Sequence, residues 1–297
     1  MSEVSAIKVK ELREKTGAGI MDCRRALIES KGDGEMAIDI LQIKGGLKAK
    51  KQAGKEVLEG LIGISRSDHR KAAMVEVNIE TDILAYNSSF QKLVSGIAHV
   101  SLSSGNLGDK NSILSMPFDD SGTIVKDTIE AHIAIIGENI KLSRSAILSV
   151  SEGVVSSYIH AAVAEGLGKI GVILALKSSG DKEKLSSIGE QIAMHVAASS
   201  PLAISMQTLD HSVITKQRDY YMEEMRNSGK SENMIEKIVG GKMQKFFKEV
   251  VLLSQDFVVD PSKTVFEFLK ESEKDIGSPI EITGMLCFVL GDRSKKI

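Results

Sequence analysis

The sequence predicts an α+β fold: an N-terminal three-helix bundle, a duplicated α+β core of two similar subdomains, and an inserted antiparallel helical hairpin. Three observations predict it. The first fifty residues carry only helical periodicity. From residue 59 the apolar pattern changes to short strand-like runs followed by a helix, and this happens twice. Between residues 212 and 250 two helical stripes are joined by a polar break.

Composition sets the outer limits. A chain of 297 residues suits two or three domains. With 42% apolar and 26% charged residues it can bury a core. It has no Trp, eight Phe and four Tyr, so that core is mostly aliphatic. A net charge of -2 argues against duplex binding, which rests on many cationic contacts to phosphate. The basic run Lys48, Lys50, Lys51 and Lys55 reads as a solvated helix face. Cys23 and Cys287 stand alone, without a metal or redox spacing, and read as buried thiols in a reducing compartment. The N-terminus lacks the apolar run of a signal peptide. No stretch approaches the roughly 20 apolar residues of a membrane helix. A cytoplasmic protein is expected.

The bundle comes first. Val9 and Leu12 mark one helix, which stops at Thr16-Gly17-Ala18-Gly19. Ile20, Cys23, Ala26 and Leu27 share a face of the second, with Asp22 in its first turn. After Gly32-Asp33-Gly34, the residues Met36, Ile40, Ile43 and Leu47 stripe a third. So small a unit has little core and offers an apolar patch to a partner. The stretch from Lys44 to Lys55 reads as a partly helical linker.

The core follows. Leu61, Ile62 and Ile64 form one strand-like run. In the next, Val75, Val77 and Ile79 alternate with Glu76, Asn78 and Glu80, which predicts a half-buried strand with one wet face. A helix carries Phe90, Leu93, Val94, Ile97 and Val100. The pattern then recurs. Glu59-Gly60 leads to a helix ending His99-Val100-Ser101, and Glu152-Gly153 leads through the strand Ile170 to Leu176 to a helix ending His195-Val196-Ala197. The matching histidines suggest a shared packing role. A Gly/Asp/Ser-rich loop near 104 to 123 and a helix near 124 to 137 separate the copies. In the hairpin, Met234, Ile235, Ile238 and Val239 stripe the second helix, continued by Met243, Phe246 and Phe247. The tail reads as Phe257-Val258-Val259, a helix from Val265 to Lys270, and a strand from Met285 to Leu290.

Enzyme chemistry finds little support. Gly229-Lys230-Ser231 copies the end of a phosphate-binding loop, but the first Gly would fall at Glu224. The six histidines lack metal-ligand spacing. Glu76, Glu80 and Asp82 could pair as acid and base, but a wet strand face explains them more simply. One feature resists the plain reading. Thr81-Asp82-Ile83-Leu84 sits where a strand ends and a helix starts, with Thr81 or Asp82 as its cap. Ile83 and Leu84 are adjacent bulky apolar residues, and one at most should face the core. The other would be a wedge for a partner.

Several segments together resemble the elongation factor Ts family, the nucleotide exchange factors of bacterial translation. They are VKELREKTGAGIMDCRRALIESKGD at the N-terminus, VNIETDILAYNSSF, IGENI at Ile136 to Ile140, IAMHVAAS at Ile192 to Ser199, and FVVDPSKTV at Phe257 to Val265. The resemblance runs through nearly the whole chain, in order. It implies a ubiquitin-associated-like bundle at 1–55 and core subdomains at 56–140 and at 141–208 with 249–297. The hairpin would be an inserted coiled coil at 209–248. It implies binding of elongation factor Tu and ejection of its GDP, with no covalent chemistry and no cofactor beyond the partner's own GDP and Mg²⁺. Arg13, Ile20 and Met21 would pack on the partner's GTPase domain. The loop Thr81, Asp82, Ile83 and Leu84 would intrude at its Mg²⁺ and phosphate site. Ile136, Gly137, His160, Val258 and Val259 would touch it elsewhere. Ile83 stands where the family commonly has Phe, and Tyr86 where it has Lys, so the wedge is smaller and not aromatic. Neither nucleic acid nor membrane is an expected partner, and a homodimer is left open. The competing reading is a ubiquitin-associated-like adaptor without exchange activity.

Overall fold

A computed structural model describes residues 5–16, 18–52, 54–105, 109–226 and 231–292, with the side chains of residues 42 and 46–52 set aside. The fold mixes helices with small antiparallel sheets. Three helices open it: α1 (Ala6–Thr16), α2 (Ile20–Glu29) and α3 (Gly34–Gln52). Their small core is Val9, Leu12, Cys23, Ala26, Leu27 and Ala37. Met36 and Ile43 point to solvent, because the inward stripe of α3 is Ala37 with Ile38, Ile40 and Leu41. Ile20 is also exposed, outside the face that Cys23, Ala26 and Leu27 bury. Leu47 lies among the side chains set aside. The expected linker is mostly helix, since α3 continues to Gln52.

Strands β1 (Glu59–Ser67) and β2 (Lys71–Ile79) then form an antiparallel pair. Helix α4 (Ser88–Ser103) covers them, followed by α5 (Lys110–Leu114) and α6 (Val125–Ile136). Asn87 caps α4, its side chain accepting from the N–H groups of Ser89 and Phe90 at 2.9 and 3.2 Å. Strand β3 (Ile140–Ser149) joins β2, and the short β5 (Leu167–Gly168) joins β1, giving a sheet in the order β3-β2-β1-β5. The second sheet, β4-β6-β9, comes from β4 (Val154–His160), β6 (Ile170–Lys177) and β9 (Glu281–Val289). Helix α7 (Lys182–Ser199) lies against it. Helices α8 (His211–Arg226) and α9 (Glu232–Val250) pack on each other. The small pair β7 (Asp256–Phe257) and β8 (Asp260–Thr264) leads to α10 (Val265–Ile276), which outlasts the expected Lys270.

The cores sort by strand parity. Leu61, Val75, Val77 and Ile79 face α4. Ile62, Ala72 and Met74 face the other way, against Ile173, Ala175 and Phe288 of the second sheet. Val172, Leu174 and Leu176 face α7. The order is therefore helices, sheet, sheet, helices, with three apolar layers between them.

This packing corrects the expected wet face of β2. Glu76 and Asn78 are buried between the sheets. Glu76 is satisfied there by Arg144 Nε at 2.5 Å, Asn78 Nδ2 at 2.9 Å and the Gly291 N–H at 2.9 Å. Arg144 also donates to the Val289 carbonyl at 2.7 Å and lies over the Phe288 ring at 4.2 Å. Polar alternation here marks a partnered interior rather than solvent.

Two further expectations fail. His99 is exposed and His195 is fully buried, so the two histidines do not share a packing role. Cys23 is buried, but Cys287 is only half-buried. Gly229 and Lys230 lie outside the described residues. By contrast, Gly60 and Gly153 behave alike. Their φ values are +132° and +119°, and an added Cβ would lie 2.1 Å from the Val77 carbonyl oxygen and 2.0 Å from that of Leu176. Each glycine lets a strand pair close where any side chain would collide.

Gly60→Ala and Gly153→Ala are each expected to lose about 2–4 kcal/mol in chemical denaturation. Gly240→Ala, in open space on α9, is expected to be neutral or to gain up to about 1 kcal/mol. Arg144→Ala leaves a buried carboxylate without its cation and is expected to cost about 3–5 kcal/mol. Arg144→Met combined with Glu76→Met is expected to cost clearly less than Arg144→Ala alone.

Candidate functional site

The end of β2 leads into an exposed apolar turn. Residues Asp82–Tyr86 form one turn of 3₁₀ helix between β2 and α4. Two adjacent apolar residues in such a turn cannot share one face. Leu84 packs against the core with the buried Ala85, while Ile83 is left 73% exposed and Tyr86 70% exposed. The turn is closed by the Asn87 N–H donating to the Leu84 carbonyl at 3.0 Å. Gln91 of α4 donates to the Ala85 carbonyl at 2.9 Å. Thr81 stands at the N-cap position of this turn, but its side chain makes no capping hydrogen bond, and the following helix is capped by Asn87.

Thr81 serves a different end. Its N–H and hydroxyl donate to the two carboxylate oxygens of Glu138, at 3.0 and 2.8 Å. One residue back, Glu80 accepts from the Asn139 N–H at 2.7 Å and from Lys55 Nζ at 2.9 Å. Asn139 Nδ2 closes the circuit on the Lys55 carbonyl at 3.0 Å. The base of the 82–86 turn is thus bonded to the segment between α6 and β3 and to the segment before β1. Burial opposes ionisation of the Glu80 carboxyl, but the Asn139 N–H and the Lys55 ammonium outweigh it, and its pKa lies below the ordinary glutamate value. Neither Glu76 nor Glu80 is a free acid–base group, since each already holds a cation and a backbone N–H.

The other predicted positions fall into groups. Gly137 closes α6, its N–H bonded to the Ile133 carbonyl at 2.8 Å, with Ile136 half-buried beside it. One residue on is Glu138, so the Thr81–Leu84 loop and the Ile136–Gly137 corner form one surface. The bundle adjoins this region, because Gly45 of α3 faces Ala134 of α6, where a Cβ would lie 2.9 Å away. Arg13, Ile20 and Met21 are exposed on that bundle. His160 and the pair Val258–Val259 are exposed too, but they belong to the layer built on the second sheet. His160 ends β4, with Tyr158 Oη 3.4 Å from its Nδ1. Val258 and Val259 form the turn between β7 and β8. Sequence reasoning missed the Glu80 and Glu138 ties. The IGENI segment carried the signal, with Glu138 and Asn139 beside a helix end.

Among the described residues, no group of three His, Cys, Asp or Glu is gathered as a metal site. No helix among them is long and apolar enough to cross a membrane.

Comparison with known proteins agrees on one family. A family model described as Elongation factor TS matches residues 80–292. The chain is 53% identical over 296 residues to elongation factor Ts of Rhizobium etli (strain CIAT 652), covering 100% of this chain and 95% of the relative. It is 52% identical to that of Sinorhizobium medicae (strain WSM419) over 293 residues, 99% and 94% of the two chains. For Agrobacterium fabrum (strain C58 / ATCC 33970) the identity is 50% over 296 residues, 100% and 95%.

The anchor of the 82–86 turn predicts a titration. A depressed folded pKa means that Glu80 stabilises the fold fully above its unfolded pKa, and that this is lost as pH falls through the folded value. The Asn139 amide proton shift is expected to report that titration by NMR, with a midpoint below that of an ordinary glutamate. In Glu80→Gln this titration is expected to vanish.

Proposed function

The chain belongs to the elongation factor Ts family, the nucleotide exchange factors of translation elongation, and we propose that it binds elongation factor Tu carrying GDP and drives the nucleotide out. In this reading the Asp82–Ile83 turn enters the partner beside its Mg²⁺ and phosphate site. Ile83 separates partner side chains, and the Asp82 carboxylate competes for the groups that hold the metal. The protein makes no covalent bond and has no cofactor of its own. Its work is done in the cytoplasm.

One observation carries the reading. Ile83 is an apolar side chain 73% exposed on a turn whose base is bonded on both sides. A bulky apolar group held out in water by a rigid base costs free energy unless something covers it. The remaining contacts follow the same logic. Arg13, Ile20 and Met21 would dock the bundle on the GTPase domain. Ile136 and Gly137, His160, and Val258 with Val259 would hold the partner away from its nucleotide. The assignment of units goes with it: a ubiquitin-associated-like bundle at 1–55, core subdomains at 56–140 and at 141–208 with 249–297, and an inserted hairpin at 209–248.

The physics required is differential affinity. An exchange factor that weakens GDP binding by some factor is itself bound more weakly by the same factor when GDP is present. It must therefore hold the nucleotide-free partner better than the loaded one. An apolar wedge suits this, since it gains free energy only where the partner opens to receive it.

The test is release of labelled GDP from purified elongation factor Tu. The wild-type chain is expected to accelerate it, and failure to do so at stoichiometric amounts would remove the proposal. Ile83→Ala and Asp82→Ala are each expected to lower the maximal rate about tenfold. Their folding stability should stay within about 0.5 kcal/mol of wild type, as both positions are on the surface.

A further inference from the structure

His195 is the one histidine among the described residues that is fully buried. Both of its ring nitrogens are engaged. The Val258 N–H donates to Nδ1 at 3.2 Å, so Nδ1 carries a lone pair and the proton sits on Nε2. Nε2 then donates to Gln255 Oε1 at 2.9 Å. The orientation of Gln255 is set in turn by its Nε2, which donates to the Glu249 carbonyl at 2.6 Å in the last turn of α9. Burial disfavours the imidazolium and lowers the His195 pKa, which preserves this tautomer. The ring also meets Phe257 at 5.7 Å between centroids, and Phe257 stacks on Phe268 of α10 at 4.4 Å.

The result is a continuous line from the base of the hairpin to an exposed tip. Glu249 leads to Gln255, Gln255 to His195, and His195 to the backbone of Val258. Val258 and Val259 are 47% and 48% exposed at the tip of that line. The strand pair β7–β8 is too short to fix its own turn, with a register shift between Asp256 and Phe257. The Val258 N–H receives its orientation from α7 instead.

We propose that His195 is a positioning residue for partner binding: it holds the Val258–Val259 turn at its working height and links that turn, through Gln255, to the base of the hairpin. This inference rests on the reading that Val258 and Val259 touch the partner. It adds a residue that never meets the partner itself.

Substitutions separate the two bonds. The Oδ1 of an asparagine falls near the place of Nδ1, so His195→Asn keeps the acceptor for Val258 and loses Gln255. His195→Leu fills the space and loses both. In the GDP-release assay, His195→Leu is expected to raise the half-saturating concentration about five- to tenfold, the worth of one buried hydrogen bond, with the maximal rate kept within about twofold. His195→Asn is expected to recover most of that affinity. Exchange of the Val258 amide hydrogen should quicken in the Leu variant and stay slow in the Asn variant. Equal half-saturation for wild type and both variants would overturn the inference. So would a loss in both variants that merely follows their melting temperatures. Val258→Asp serves as the control. If it weakens binding while the His195 variants do not, the positioning role alone is wrong. If it too leaves half-saturation unchanged, the tip is not a contact, and the inference falls with that part of the proposed function.

Discussion

Strand β2 is buried on both faces, and much of the architecture follows from that constraint. One face is apolar and rests on α4. The other carries Ala72 and Met74 and then two polar side chains, Glu76 and Asn78, into the gap between the sheets. A carboxylate in that position demands a cation and donors. Arg144 supplies the charge from β3, and Gly291 supplies an N–H from just past β9. Because Arg144 also binds the Val289 carbonyl, one ion pair links the first sheet, the second sheet and the end of the described chain. The register of β2 against β3 shifts immediately after this pair. A strand fixed in this way gives the two residues that follow it, Glu80 and Thr81, a firm platform from which to project the 82–86 turn.

The fold was legible where periodicity had one cause. Helix α4 reads directly from Phe90, Leu93, Val94 and Ile97, since all four are buried on one side. The partition of Ile83 and Leu84 was legible too, because adjacent apolar residues in a short turn must point apart. Strand β2 misled for a physical reason. Alternation reports two unlike faces, but it does not distinguish a face in water from a face whose polar groups are paired. The cation that pairs with Glu76 lies 68 residues further along the chain, so nothing local signals the ion pair. Helix α3 misled differently. Ala37 is too small to register in an apolar stripe, yet it is buried while Met36 and Ile43 are exposed. Close helix contacts favour small residues, and Gly45 against Ala134 is the same effect. The histidines show the limit of matching by position, since His99 and His195 occupy similar text in unlike surroundings.

Two of the candidate contact segments share a mechanical feature that their spacing hides. Each is held from behind by hydrogen bonds to another part of the fold. Thr81 is held by Glu138, and Val258 by His195. Ordering a loop on binding costs about 0.5–1.5 kcal/mol for each immobilised side chain. Tips that are ordered beforehand avoid part of that cost. Preorganisation matters more for an exchange factor than for a simple binder, because its useful free energy is a difference between two states of the partner.

That difference also sets how much one wedge can do. Full burial of an Ile side chain is worth about 1.5–3 kcal/mol, or roughly one to two powers of ten in an equilibrium. For the exchange role proposed here, Ile83 alone therefore supplies at most about a hundredfold weakening of nucleotide binding. A coupling larger than that must be shared. In the proposed role Asp82 would contribute by a different route, since a carboxylate acts on a metal site through charge and needs no cavity to enter. On the same proposal the bundle and the second-sheet tips would act by holding the open partner, which turns uniform affinity into differential affinity only if the partner's domains move when it opens. On that proposal an Ile in place of a larger aromatic wedge would shift the burden toward these distributed contacts, and tips spaced across two sheets would be the arrangement to carry it.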